Sequence, residues 1–290
     1  MNRLKKFITL NPLLACVAVY AICYFFRLIE YLVLRTDESI FGENLVHKIA
    51  GIAIIFIILR MLHLRWRDIG FRSKHWLKSI GLGLCLGAFF YIIAYAVELV
   101  VLYYQGANPV LKLTTDNFSL TKSNDFVSVG IGFIILFNVF NAWMEEGLFR
   151  GLFVRILQRK YTFAKAILAS ALLFGLWHLA MPLRAFLDGK LSLSGMLLLS
   201  VSYVLFSFVA GIKLSLLYKA TGSLWPGLAE HFLTNIIINL IHVESAQGYD
   251  NLRSIRIALA QLLSLVFVYM IFTYMKRRDK SKVAQSDNYS

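Results

Sequence analysis

Long apolar runs separated by short polar or basic connections dominate the chain. The runs are Pro12–Leu34, Leu45–Leu64, Leu77–Tyr104, Val127–Ile156, Phe163–Met181, Met196–Tyr218, Leu224–Val243 and Ile255–Met275. Most match the roughly 17–25 residues a helix needs to cross a hydrocarbon core about 30 Å thick. They predict an all-α, polytopic integral membrane protein of about eight transmembrane helices around a polar intramembrane cavity. The second run is the weakest, because Lys48 and Arg60 bracket its apolar centre and would have to snorkel to the interfaces. The fourth is too long to cross upright, and predicts a tilt or an extension into the cytoplasm. Punctuation agrees: Pro182 is expected to stop the fifth span, and Pro226 to open the seventh, with Trp225 at the interface.

Composition sharpens this picture. Of 290 residues, 59% are hydrophobic and 16% charged, against about 45–50% and 25% in soluble domains. A single membrane domain over residues 1–278 is expected, followed by a disordered polar tail at 279–290. The N-terminus has the basic start of a signal peptide, but its apolar stretch runs on without a clear cleavage site and reads as a retained first helix. Cys16, Cys23 and Cys85 lie in apolar runs without metal spacing and read as packing residues.

The net charge is +14, and its distribution decides its meaning. With eight spans both termini share one side. That side gathers the N-terminal lysines, the Arg60–Lys78 cluster, Arg155–Lys165, Lys213, Lys219 and the Lys276–Lys282 run. The opposite side has fewer, among them Arg35, Lys112, Arg184, Arg253 and Arg256. The positive-inside rule then predicts a multi-pass cell-membrane protein with both termini cytoplasmic. The charge is accounted for by lipid, and no recognition module points to nucleic acid.

Ionisable groups inside spans are costly and mark function by default. Glu145, Glu146 and Arg150 lie in the fourth span, His178 in the fifth, and Glu230, His231, Asn235 and Asn239 in the seventh. Glu146 and Arg150 are four apart and can pair along one helix, while Glu145 is turned about 100° away and can face something else. His231 and Asn235 share a face, as do Phe174 and His178. Counting from the cytoplasmic edge puts Glu145 at about 15 Å, His178 at about 20 Å, His231 at about 12 Å and Asn235 at about 18 Å. Three helices thus bring polar groups to one layer. Glu30 and Glu98 stand alone in other spans and read as structural or interfacial, and Arg27 lies within the first span. A carboxylate among imidazoles in a dry cavity suits water activation: a glutamate base, a histidine to share the proton or orient the water, and His and Asn donors to an oxyanion.

These residues resemble a known pattern. The CAAX-protease and bacteriocin-processing (CPBP) family, which includes the type II CAAX prenyl endopeptidases, carries EExxxR, FxxxH and HxxxN on three helices. Here they stand as Glu145-Glu146-Gly147-Leu148-Phe149-Arg150, Phe174 to His178, and His231 to Asn235. The resemblance is strongest over 141–239, the expected catalytic core. It implies an eight-helix intramembrane endopeptidase in which Glu145 and His178 activate water, His231 and Asn235 stabilise the oxyanion, and Glu146 and Arg150 support them. Glu230, directly before His231, departs from the pattern. The implied partners are membrane lipid and a membrane-associated peptide or protein, with no cofactor and no metal. The substrate stays open between prenylated CAAX proteins and pheromone or bacteriocin peptides. Two other readings remain. One is a metal-dependent protease using the same Glu and His set, though no HExxH is present. The other is a non-enzymatic immunity factor or regulator on the same fold.

Overall fold

A computed structural model of the chain describes residues 2–39, 43–72, 74–114 and 131–287. Helix α1 (Asn2–Leu10) meets α2 (Pro12–Ile29) at Asn11, where Pro12 opens the second helix and its missing N–H costs nothing. Helix α2 ends in a π-helical turn, Glu30–Leu34. There follow α3 (Val46–Leu62), α4 (Trp76–Tyr104) and α5 (Ile131–Glu145), which passes through a π-helical stretch, Glu146–Phe153, into α6 (Val154–Leu157). Then come α7 (Phe163–Trp177), α8 (Ala180–Leu187), α9 (Leu193–Thr221), α10 (Trp225–Leu240) and α11 (Arg253–Asp287). Strands β1 (Val110–Leu113), β2 (Ile241–Ser245) and β3 (Gly248–Tyr249) form a small antiparallel sheet in that order at one end of the bundle.

The all-α polytopic membrane fold is present. Among the described residues, six helical segments are long and apolar enough to cross a membrane: Pro12–Leu34, Trp76–Tyr104, Ile131–Leu157, Phe163–Leu187, Leu193–Thr221 and Arg253–Arg278. The other two expected spans form α3, of 17 residues, and α10, of 16. At 1.5 Å per residue each is only about 25 Å long. Helix α10 is short because the chain becomes extended at Ile241, where β2 begins pairing with β1. The expected fourth span began at Val127; residues 127–130, and most of the outer loop before them, lie outside the described residues.

Two expected stops are not stops. Helix α7 ends at His178, and Pro182 falls in the first turn of α8, where no N–H is needed. Helix α11 continues through Asp287, so 279–287, expected to be disordered, are helical. That stretch has no Pro or Gly to break it.

Small residues set the close approaches. A Cβ on Gly83 of α4 would meet the Pro226 carbonyl of α10, and one on Gly175 of α7 would lie 2.8 Å from the Val204 carbonyl of α9. In lipid, where apolar burial adds little, such contacts decide which helices pack together.

Charges expected in connections are instead buried partners. Lys213 is inside α9, ion-paired with Glu230 of α10 and 2.6 Å from Gln261 Oε1 of α11. This gives Glu230 a structural place, pointing from α10 toward α9. Lys213→Met would strand Glu230 in the bundle, at a cost of about 3–5 kcal/mol. Thermal unfolding in detergent should show a large loss, most of it recovered in Lys213→Met/Glu230→Gln; a single variant melting like wild type would contradict this. Arg184 of α8 holds Asp37 at 2.7 Å and lies 3.6 Å from Asp188, clamping α8 to the turn after α2.

Glu98 of α4 pairs with Arg256 of α11 at 2.6 Å, a structural pair as expected for Glu98. Arg256 also reaches Asp250 at 2.6 Å, and Asp250 accepts from His242 (3.0 Å) and from the Val243 amide (3.2 Å). Burial alone would raise the Asp250 carboxyl, but these donors outweigh it and hold it at about 2. A carboxyl depressed on folding stabilises above its ordinary value, about 3.9, and loses that contribution as pH falls toward the folded value. Protection of the Val243 amide from hydrogen exchange should therefore be flat from neutral pH to about 4 and weaken below it. Asp250→Asn should remove the dependence, and an acid-insensitive wild type would refute the link.

Candidate active site

Glu145 closes α5, and Glu146 opens the π-helical stretch. Such wide turns recur at functional sites, because they forgo regular hydrogen bonding to re-aim side chains. Gly147 and Gly151 lie within this one and pack closely against Phe71 and Ile69. Glu145 (2% exposed), Glu146 (0%) and Arg150 (1%) are all sealed from the surface.

His231 of α10 joins the two glutamates. Its Nδ1 lies 2.9 Å from Glu146 Oε1, and its Nε2 faces Glu145 Oε2 at 3.5 Å. Arg150 Nη1 stands 3.3 Å from Glu146 Oε1, as the four-residue spacing predicts. The Arg150 guanidinium also lies over the Phe174 ring, 3.8 Å from its centroid. Phe174 is the hub of the site: its edge contacts reach His178 at 4.9 Å and His231 at 6.2 Å between centroids. Its carbonyl accepts from His178 Nδ1 at 2.9 Å, which leaves His178 Nε2 as the bare nitrogen. His178 caps α7, half-buried, and its ring lies parallel to that of Tyr203.

The expected site residues therefore gather unequally. Glu145 and Glu146 both meet His231, and Arg150 meets Glu146. His178 reaches them through Phe174; among the described residues it makes no hydrogen bond or ion pair with either glutamate. Asn235 is half-buried one turn past His231 and makes no hydrogen bond among the described residues. Asn239 belongs elsewhere, its carbonyl 3.4 Å from His242 Nε2 near the sheet.

Three participants escaped sequence reading. Trp177, beside His178, donates its indole N–H to Glu145 Oε1 at 2.8 Å. Arg27 of α2 approaches the same oxygen at 3.7 Å and lies over the Trp177 ring. His47 of α3 holds Arg27 at 3.0 Å. The one available signal was an arginine within an apolar span, and no local spacing named its partner. Glu145 Oε2 is buried without a hydrogen-bond partner among the described residues. Beside the site, Trp76, Leu84, Val139, Trp143, Trp225, Leu228 and Phe232 line an apolar cavity of about 300 Å³ between α4, α5 and α10. Among the described residues no group of three or more His, Cys, Asp or Glu converges as a metal-ligand set.

Residues 127–237 match the family model of the type II CAAX prenyl endopeptidases, Rce1-like. The motif residues lie in an Rce1-like segment. The matched segment contains every residue of the three motifs, and it bears out the CPBP resemblance. Arg27, Glu30 and His47 fall before the Rce1-like segment. No curated protein matches the chain.

Proposed function

We propose that this multi-pass membrane protein is an intramembrane endopeptidase that hydrolyses a peptide bond in a membrane-associated peptide or protein. The Rce1-like match supports a peptidase in general terms. The observation that carries the mechanism is the asymmetry at Glu145: Trp177 donates to one oxygen, and the other makes no hydrogen bond among the described residues and lies 3.5 Å from His231 Nε2. In this reading Oε2 takes a proton from water as the water oxygen bonds to the scissile carbonyl carbon. His178, with Nε2 bare, orients that water or shares its proton. His231 and Asn235 donate to the oxyanion. The carbon–nitrogen bond then breaks as the proton passes to the leaving amine. Glu146 and Arg150 hold His231 in place, since Glu146 touches both.

The apolar cavity next to Trp143 and Phe232 suits a greasy part of the substrate, whether side chain or lipid modification. The excess of Lys and Arg on the side of both termini supports a cytoplasmic location for them. The test compares peptide termini in membranes of cells expressing wild type or Glu145→Gln. New termini with wild type only would establish proteolysis and identify the substrate. Identical termini, with both proteins present and folded, would count against the proposal and favour a non-enzymatic regulator.

A further inference from the structure

Arg27 is an unusual structural cation. An arginine inside a membrane span is expensive and normally meets a carboxylate through a two-pronged fork. This one is buried, yet its nearest carboxylate oxygen, Glu145 Oε1, is 3.7 Å away and outside hydrogen-bonding range. What holds it is different. The guanidinium lies 4.8 Å from the Tyr31 ring centroid and 4.6 Å from that of Trp177. Nη2 donates to the Tyr31 hydroxyl at 3.3 Å, and Nη1 to His47 Nε2 at 3.0 Å.

The His47 contact has a definite sense. Arginine has only donors, so His47 Nε2 must accept, and the ring proton is on Nδ1, which faces Glu30 Oε2. Glu30 is itself locked by the backbone amides of Leu45 (2.6 Å), Val46 (2.7 Å) and His47 (2.6 Å) at the start of α3. The orientation of Arg27 is thus inherited from a rigid helix terminus. The chain Glu30–His47–Arg27 ends at the oxygen of Glu145 that Trp177 also holds.

We propose that Arg27, oriented by His47, is a positioning residue for Glu145: with the Trp177 indole it holds Oε1 and leaves Oε2 to act on water. The consequence for rate rests on the hydrolytic reading of Glu145, whereas the positioning itself can be read without any substrate. Arg27 and Arg150 together also give each buried glutamate a nearby positive charge in a low-dielectric site.

The experiment follows deuterium exchange at the Trp177 indole N–H by NMR, using the full chain in lipid nanodiscs with ¹⁵N-labelled tryptophan. The chain has 5 tryptophans, and Trp177→Phe identifies the signal. Arg27→Met should speed this exchange by roughly tenfold or more as the local structure opens. Arg27→Lys, which keeps the charge, should restore much of the protection. Arg184→Met, which breaks the clamp on α8, should leave it unchanged. On a peptide found by the terminus comparison, Arg27→Met should lower kcat by roughly a hundredfold, with KM little changed. Wild-type protection in Arg27→Met would overturn the proposal. So would equal loss of protection in Arg184→Met, which would mean general loosening. If Arg27→Met does not accumulate, His47→Leu, which leaves Arg27 unoriented, gives the same readout, and unchanged protection there is equally fatal. A wild type that protects Trp177 as expected but yields no new termini would sink the peptidase reading while leaving the positioning intact.

Discussion

Glu145→Gln should reduce peptide-bond cleavage by about 10³-fold while leaving the protein folded in the membrane. The two halves of this expectation have separate causes. Glutamine is nearly isosteric, and its side-chain carbonyl can still accept the Trp177 indole N–H, now 2.8 Å from Oε1. Its amide nitrogen would replace Oε2 and face His231 Nε2, at the present 3.5 Å spacing, as a donor. The shape of the side chain and its hydrogen bond to Trp177 are therefore kept. Chemically the change is drastic, because an amide cannot take a proton from water at neutral pH, and the negative charge beside Arg27 is lost. Protein level, protease resistance and melting in detergent check the first half, and product termini check the second. Turnover retained in a folded Glu145→Gln protein would remove Glu145 as the base.

Arg150→Ala should act mainly on the fold. Arg150 is fully buried, Glu146 is its charge partner at 3.3 Å, and Phe174 lies against the guanidinium. Removing the cation leaves Glu146 sealed in the bundle with, among the described residues, His231 alone beside it, and opens a void among Phe174, Gly211 and Glu146. Breaking one partner of a buried pair costs about 3–5 kcal/mol, a large part of the stability of an ordinary domain. Yield and melting temperature should fall together with activity. Arg150→Ala/Glu146→Gln should recover part of the yield without recovering activity, since His231 would still lack its charged anchor. A well-folded, inactive Arg150→Ala protein would reverse the assignment and make Arg150 a direct participant.

The three motifs could be found from sequence because their internal spacing is helical. Glu146 meets Arg150 because residues four apart face the same way, and His178 meets the Phe174 carbonyl for the same reason. Contacts between helices were not available in this way. Lys213 looked like a loop charge until α9 carried it to Glu230, and Arg256 did until α11 carried it to Glu98. The sequence placed Glu145 and Glu146 on different faces, yet one imidazole contacts both, at the point where π-helical winding replaces α-helical. Nothing local announces that change of winding.

Membrane spans, their helical character and the identity of the motif-bearing residues were thus determined by the amino-acid order alone. They depend on run length, on the scarcity of charge in lipid and on a fixed helical period. The partner of each buried charge, the place of Arg27 and His47 in the site and the shortening of α10 by strand pairing were decided only by the tertiary structure. The physical reason is that the rotation and tilt of each helix are set by its neighbours. Those depend on close approaches such as Gly83 against Pro226 and Gly175 against Val204, made by residues far apart in the chain.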